Sequence, residues 1–444
     1  MNNRSAHWVC PYCRCVCDRS ARRWPHLSAI VIVMGAPTTT GLTGNRDFAI
    51  LWLGDLASEL GSAMSMLVFP LLGYALTHST TQAALATTAF FAAGTIMRLP
   101  AGALVDRWSR RRVLLISNLA SAGVLGVLAL LVATGVATIA LLVAAGVLAG
   151  VVETFFSPAA SASLRAVVAP EYLARAYTRM QARYHVASLI GPPLGGALFA
   201  VAASLPFAVD AVSFAAFAVA VLFLRAPLPA PATTGPRRLR ADLLAGLRFL
   251  WSQRAARAMM LWGGILNFAV GYVFISITLR LVRAGVHPAA IGAIDAIAAG
   301  AGIVGAAVAS RHAQRLPTGA TTMTTGLVLA AVVVPMAWTT DVRVIGALLA
   351  IGTLLLPANN AGIGAYLSFV TPDELQGRLN SAAGFVSSAL TPLAPVIAGA
   401  LLATMGGTTG TLVGAALIAC SVVPLVLEPS VRHLGRPAEW APVA

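Results

Sequence analysis

The chain has 444 residues, of which 58% are hydrophobic and 10% charged, and its mean hydropathy is +0.83. This composition excludes a soluble enzyme, a nucleic-acid binder and a disulfide-rich secreted module, and it indicates an integral membrane protein. All the basic residues behind the net charge of +15 are arginines, and their positions follow membrane topology rather than nucleic-acid binding.

Residues 1–47 are predicted to form a cytoplasmic tail. Its four cysteines suggest a zinc site, but such a site normally uses two well-separated pairs, and these lie together within residues 10–17. We therefore expect no metal ligation, and we interpret residues 1–33 as a start-site artefact, with Met34 as the true first residue. A disordered tail is the alternative. The cysteines are Cys10, Cys13, Cys15 and Cys17.

Twelve apolar stretches follow, each of about 20 residues, the length that crosses a bilayer core of roughly 30 Å. They predict an all-α integral membrane protein with two six-helix bundles, at 48–224 and 258–427, and a cytoplasmic tail at 428–444. The predicted spans are residues 48–75, 83–104, 113–133, 137–160, 177–203, 206–224, 258–279, 289–309, 319–338, 344–367, 379–403 and 408–427.

The arginines predict the orientation of the chain. With a cytoplasmic N-terminus, 25 of the 30 arginines lie in segments on the cytoplasmic side and three on the opposite side, at Arg280, Arg283 and Arg343. Cytoplasmic segments carry an excess of basic residues. Both termini are therefore expected in the cytoplasm of a multi-pass protein of the inner cell membrane.

Two acids and one arginine lie inside the first two spans. At 1.5 Å per residue, Asp55 lies about 10 Å deep in the first span and Arg98 about 12 Å deep in the second. Glu59 follows Asp55 by one helical turn on the same face. Because a charge in hydrocarbon is costly unless paired, we expect Arg98 to contact one or both acids and Glu59 to carry the proton. A static, neutralising pair is the alternative.

The loop after the second span contains GALVDRWSRRR, residues 102–112, which resembles the cytoplasmic signature of the major facilitator superfamily. The resemblance implies that Asp106 meets the positive amino end of the eleventh span, near Gly377 and Arg378, when the inner gate is shut. Such a contact is worth about 0.3–1 kcal/mol when exposed. The other residues of this predicted gating motif are Gly102, Arg107, Arg110, Arg111 and Arg112.

The fourth and fifth spans carry a second predicted pair, Glu153 with Arg183. Arg175, Arg179 and Arg183 lie along one helical face, and lipid headgroups are the alternative partners of the first two. The fifth span also resembles the antiporter motif GxxxGPxxGG of proton-driven exporters, with alanine in place of the first glycine. The matching residues are Ala187, Gly191, Pro192, Pro193, Gly195 and Gly196.

The segment at residues 225–257 is predicted to be a cytoplasmic linker that joins the two bundles. Four prolines open it, and apolar residues recur at helical spacing within residues 242–251. This pattern predicts an amphipathic helix in the headgroup plane. A cytoplasmic extension of the seventh span is the alternative.

The carboxyl-terminal half contributes fewer charges, and Asp295 is its one deeply placed acid. Proton coupling is therefore expected in the amino-terminal half, at Asp55, Glu59, Arg98, Glu153 and Arg183. Side chains with hydrogen-bonding groups or apolar area are candidates for the opposite wall of a substrate cavity, with core packing as the alternative. They are Trp262, Asn267, Phe268, Asn359 and Asn360.

An internal repeat relates the two halves, because five residue pairs share one offset of 203 positions. Transporters with parallel six-span repeats hold substrate between the halves and rock them alternately. The pairs are Gly102 with Gly305, Arg112 with Arg315, Arg175 with Arg378, Pro192 with Pro395, and Gly196 with Gly399.

From residue 48 to 427 the chain resembles the enterobactin-exporter and macrolide-efflux branch of the major facilitator superfamily. The segments LWLGDLASELGS, ETFFSPAA and PDELQGR carry this resemblance. It implies a monomeric, proton-coupled exporter of amphipathic small molecules that needs no cofactor. Without lysine a nucleotide-binding GxxxxGK[ST] loop is impossible, and no catalytic cluster indicates an enzyme. An importer and a non-transporting scaffold or receptor are the alternatives.

Overall fold

We describe a computed structural model of the chain. The residues described are 42, 44–105, 108–228, 239–312, 317–372 and 375–440. The described residues form helices and no strand. The helices are α1 (Arg46–Thr77), α2 (Thr80–Val105), α3 (Arg110–Ala133), α4 (Ile139–Val167), α5 (Leu173–Val201), α6 (Leu205–Leu222), α7 (Leu239–Ser252), α8 (Arg254–Arg283), α9 (Pro288–His312), α10 (Thr318–Met336), α11 (Val342–Thr353), α12 (Leu356–Val370), α13 (Gln376–Ala389), α14 (Leu393–Ser421), α15 (Val423–Leu427) and α16 (Pro429–Arg432).

The helices supply twelve membrane crossings. Ten described stretches are long and apolar enough to cross a bilayer, and the 26-residue helix α2 adds another. The last stretch, Ala382–Leu427, has 46 residues, about twice the length of one crossing. It turns at Gly406, whose φ of +80° is not helical, and so contains two crossings. The all-α, twelve-span fold predicted from the sequence is confirmed.

Side-chain caps fix where several helices begin. The Asn45 carboxamide oxygen accepts a hydrogen bond from the Phe48 amide at 3.0 Å, and Ser109, Thr138 and Asp341 cap α3, α4 and α11 in the same way. Each cap satisfies an amide that has no partner within its helix. Helix ends therefore follow capping residues rather than the limits of the apolar stretch.

The helix in the linker, α7, is separate from the seventh span. Gln253 has an extended backbone between the two (φ −92°, ψ 108°). Leu250 is buried against Leu379 and Ala382 of α13, whereas Leu244 is exposed. The helix thus packs one apolar face on the carboxyl-terminal half.

The two halves repeat the same helix packing. In the first half α2 packs on α4 and α3 on α6; in the second half α9 packs on α11 and α12, and α10 on α14. Two glycines of the predicted repeat mark the contacts between the halves. A Cβ at Gly196 would overlap Pro288 of α9, and a Cβ at Gly399 would overlap Thr80 of α2. This exchange of equivalent contacts is what a pseudo-twofold axis requires. Arg315, from another repeat pair, lies outside the described residues.

These contacts close one end of the bundle. We call the end at which α1 begins the amino-terminal side and the other end the opposite side. The Thr80 hydroxyl donates to the Gly399 carbonyl at 2.9 Å on the opposite side. There the buried Arg280 donates to the carbonyls of Ala337 and Thr339 at 3.2 and 2.8 Å, which ties α8 to the end of α10.

Candidate functional site

Two cavities lie within the bundle, one above the other along α5. The larger has a volume of about 550 Å³ and contacts both halves; the smaller has a volume of about 360 Å³ and lies nearer the amino-terminal side. Glu59, Glu153 and Tyr184 line both cavities. These three side chains therefore stand at the boundary between the two spaces.

Arg183 of α5 is the cation at this boundary. Its guanidinium forms a close ion pair with Asp55 and lies 4.0 Å from the Glu59 carboxylate. The side chains of Arg183 and Asp55 are 11% and 4% exposed, whereas that of Glu59 is 31% exposed. Arg183 is thus paired with the buried Asp55, while the more exposed Glu59 lies close enough to interact with it.

The predicted contact of Arg98 with these acids is wrong. Arg98 is exposed, and its guanidinium donates instead to the Ser388 hydroxyl of α13 at 2.5 Å. Its depth in α2 matches that of Asp55, but it lies on the face of α2 directed toward the other half. Depth along a helix does not determine direction around it.

Glu153 does not form the predicted ion pair with Arg183, which is occupied by Asp55 and Glu59. The Glu153 side chain instead enters the cavity space that it shares with Glu59. Glu59, Asp55 and Asp210 lie near enough to repel its charge, and Arg183 attracts it more weakly than any of the three repels it. Glu153 is therefore a carboxyl group in an acidic surrounding.

Asp210 of α6 is absent from the predicted set, yet it lines the larger cavity. It is 1% exposed and accepts a hydrogen bond from the Ser65 hydroxyl at 2.5 Å. The Ser213 hydroxyl lies 3.5 Å from its other oxygen. Asp210 falls inside the predicted span of residues 206–224, so the signal that selects Asp55, a charge within a span, could have found it.

The carboxyl-terminal half contributes Phe274, Asp295, Ala298 and Ala299 to the larger cavity. One carboxylate oxygen of Asp295, Oδ2, is buried without a hydrogen-bond partner. The acid therefore faces the same space as the acids of the first half. No group of three or more His, Cys, Asp or Glu side chains in the described ranges could hold a metal ion.

None of the five predicted substrate-cavity residues lines either cavity. Trp262 is 2% exposed within the core, near Gly326, and Phe268 packs against the same core. Asn267 donates to the Ser387 carbonyl at 3.2 Å, and the buried Asn359 faces its neighbour Asn360. Amide and aromatic side chains pack in the core and form hydrogen bonds between helices throughout a helical bundle. Residue type alone therefore does not identify the residues that line a substrate cavity.

The antiporter-like motif of α5 packs between the halves. Cβ atoms at Gly191 and Gly195 would overlap Ala63 and Met64 of α1, and one at Gly196 would overlap α9. On the α9 side, Gly292 lies against Pro192 and Pro193. Ala187, in place of the motif's first glycine, is fully buried. The small residues thus bring α5 into backbone contact with both neighbours.

The predicted gating motif is described only in part. Asp106, Arg107 and the side chain of Arg378 lie outside the described residues, and so do the contacts of Gly102 and Gly377. Ser109 caps the helix that contains Arg110 and Arg112, and the Arg111 guanidinium donates to the Leu222 carbonyl. Arg111 thus joins the start of α3 to the end of α6.

A family model described as Major Facilitator Superfamily matches residues 51–395. The chain belongs to this superfamily. It is therefore a multi-pass membrane transporter rather than an enzyme. The resemblance read from the sequence motifs is confirmed at this level.

Relatives and solved structures agree with this assignment. This superfamily member is 27% identical over 406 residues to the multidrug efflux pump Tap of Mycobacterium tuberculosis, covering 88% of this chain and 95% of Tap. It shares its fold with a bacterial homologue of the human lysosomal transporter Spinster in an inward-facing, unoccupied conformation (TM-score 0.67, 16% identity, 91% and 100% of the two chains). A POT family transporter solved with a thioalcohol-conjugated peptide has a TM-score of 0.68 at 12% identity (87% and 96%).

Proposed function

We propose that this protein is a proton-coupled exporter of amphipathic small molecules that works by alternating access. The observation that carries the proposal is the position of Arg183 at the boundary of two cavities, where it holds Asp55 and approaches Glu59. Ionisable side chains inside a membrane bundle mark proton and ion pathways. One arginine that serves two acids allows one of them to exchange a proton.

Glu59 is the proton carrier in this proposal. If Glu59 takes up a proton, Arg183 keeps its partner Asp55, so no buried cation is left unpaired. Water also reaches the partly exposed Glu59 more readily than Asp55. Because Arg183 and Glu59 lie on different helices, any movement of α5 against α1 changes their attraction and hence the proton affinity of Glu59. Glu153, in the same space, is the next proton acceptor.

The structure supports an inward-facing state if the amino-terminal side faces the cytoplasm. Gly196 and Gly399 close the opposite side through backbone contacts, and the smaller cavity extends from the larger toward the amino-terminal side. The excess of arginine on that side favours this orientation. We propose two functional bundles at 48–224 and 258–427 joined by the linker at 225–257, acting as a monomer.

The larger cavity supports an amphipathic substrate. Its volume falls within the range of roughly 300–1,000 Å³ typical of small-molecule sites. The similarity to the multidrug efflux pump Tap supports export of drug-like molecules, and the macrolide- or siderophore-like substrates implied by the sequence resemblance belong to the same proposal. Import is the alternative, because the direction of transport depends on gradients and relative affinities.

Replacement of Glu59 by Gln tests the coupling. We expect Glu59→Gln to abolish uptake of a fluorescent amphipathic dye into inside-out vesicles when an imposed pH gradient drives it. Exchange of dye without a gradient should continue, because the amide preserves size and polarity. Flux assays with and without a protonophore measure both. The matched control is Glu171→Gln, which removes an exposed carboxylate outside the spans.

Two outcomes would contradict the proposal. Unchanged gradient-driven uptake by Glu59→Gln would remove Glu59 as the proton carrier. The absence of any dye flux in the unmodified protein across a panel of amphipathic dyes would favour a non-transporting scaffold.

A further inference from the structure

The ionisable residues that line the larger cavity are mainly acidic. Four acidic residues line it, and the residues that line it include no arginine or histidine. Arg183 lines the smaller cavity but not the larger one, and it is already paired with Asp55. The acids are Glu59, Glu153, Asp210 and Asp295. Even with Glu59 protonated, three further carboxyl groups line the cavity, and no basic side chain lines it with them.

We propose that this cavity binds organic cations, with Asp295 facing the cationic centre and aromatic side chains packing on the hydrophobic body. The inference deepens the proposed export function and rests on it. It narrows the substrate class from amphipathic molecules in general to hydrophobic molecules that carry a positive charge.

Asp295 gives the proposal a specific contact. Its Oδ2 atom is buried without a hydrogen-bond partner, and a buried carboxylate oxygen without a partner is costly. Asp210 differs, because one of its carboxylate oxygens already accepts a hydrogen bond from the Ser65 hydroxyl. A cation that enters the cavity would compensate Asp295 and gain from the field of Asp210 across the low-dielectric interior.

Aromatic side chains supply the rest of the site. Five of them line the same cavity and come from five different helices: Phe69, Phe90, Tyr184, Phe214 and Phe274. Aromatic faces attract cations, and this attraction grows when water is excluded. Acids and aromatic rings together favour a large cation with spread-out charge over a small hydrated ion, which would lose its water without enough ligands to replace it.

The residues that line the larger cavity disfavour an anionic substrate. A siderophore-like molecule with negative charge would be repelled by the cavity acids, and the residues lining the cavity offer it no guanidinium. The cavity also predicts competition between cations and protons. As the pH falls and the carboxylates become protonated, the attraction for the cation is lost.

Tetraphenylphosphonium and tetraphenylborate test the proposal, because they have nearly the same size and shape and opposite permanent charges. Equilibrium dialysis against the full chain in nanodiscs, with empty nanodiscs as blank, measures binding of each ion to the protein. We expect tetraphenylphosphonium to bind at least roughly tenfold more tightly than tetraphenylborate. We also expect its binding to weaken as the pH is lowered. Equal binding, or tighter binding of tetraphenylborate, would overturn the proposal without any variant.

Variants then locate the charge. Asp295→Asn should weaken binding of tetraphenylphosphonium roughly tenfold and leave that of tetraphenylborate unchanged or stronger. Asp210→Asn should weaken it less, while Glu171→Gln should change neither ion. If Asp295→Asn and Asp210→Asn both bind tetraphenylphosphonium as tightly as the unmodified chain, the site assignment is wrong.

The outcomes separate this inference from the coupling proposal. Preference for the cation in a protein whose gradient-driven transport is unaffected by Glu59→Gln would contradict the coupling and support the cation site. Loss of gradient-driven transport in Glu59→Gln, with no preference for the cation, would support the coupling and overturn the cation site.

Discussion

At the scale of single residues, the buried charges of the first half depend on Arg183. Removal of Arg183 would leave Asp55 as a buried charge without a partner, and loss of one partner of a buried pair costs about 3–5 kcal/mol. We therefore expect Arg183→Gln to lower the thermal unfolding midpoint of the detergent-purified protein strongly. Intrinsic tryptophan fluorescence during a temperature ramp measures the midpoint.

A second substitution and a matched arginine make this prediction specific. Asp55→Asn added to Arg183→Gln should restore part of the lost stability, because the double variant leaves no unpaired charge at this position. Arg98→Gln should cost only about 1 kcal/mol, because Arg98 is exposed and loses one hydrogen bond to Ser388. Equal losses in Arg98→Gln and Arg183→Gln would show that the ion pair does not stabilise the fold.

The same residues show what the sequence can predict at this scale. Counting residues along a span placed Asp55, Glu59 and Arg183 inside the membrane, and all three meet in the structure. The choice of Arg98 as their partner failed because two side chains at equal depth can point in different directions. The direction of a side chain depends on how its helix is rotated and packed against its neighbours. The sequence of one span does not determine this rotation.

At the scale of helices, glycines set how closely the two halves meet. The Gly196 Cα lies against Pro288 of α9, where a methyl group would overlap the backbone. We expect Gly196→Ala to disfavour closure of the opposite side and to increase the population of the state open on that side. Spin labels at the exposed positions Val201 and Trp338, in a cysteine-free background, measure the distance distribution across it.

The control for this substitution lies on the facing helix. Gly302 of α9 has nothing within 4 Å of its Cβ position, so Gly302→Ala adds the same methyl group without a clash. Its distance distribution should match that of the parent protein. A Gly196→Ala distribution that also matches the parent would mean that this contact does not limit closure.

The positions of the helices were largely predictable, because an apolar stretch of about 20 residues marks the part of a helix that crosses the membrane. Helix ends were less so: α4 continues to Val167, beyond the predicted residue 160, since hydrogen bonding along a helix does not stop where lipid stops. The turn at Gly406 falls between two predicted spans, at 379–403 and 408–427.

At the scale of the whole molecule, the repeat and the charge asymmetry describe different properties. The offset of 203 residues predicts equivalent contacts, and the pairing of Gly196 with α9 and of Gly399 with α2 satisfies it. The acids do not follow the repeat, because the first half supplies most of them. Asp295 nevertheless faces the same cavity, so each half contributes carboxyl groups to the space that the halves enclose. Rocking the halves would then change the surroundings of a bound cation and of the proton carrier together.

The distribution of arginine over the whole chain predicts its orientation in the membrane, because arginine is in excess on the amino-terminal side. We expect single cysteines at Val136, in the loop after α3, and at Trp251, at the end of α7, to react differently in intact cells. A membrane-impermeant maleimide should label the first readily and the second only after permeabilisation, because arginine-rich segments are retained in the cytoplasm. Both positions are exposed, so burial does not explain a difference. The five natural cysteines must first be replaced. Labelling of the cysteine at position 251 in intact cells would show that the predicted orientation is wrong. The proposed inward-facing state would then be an outward-facing one.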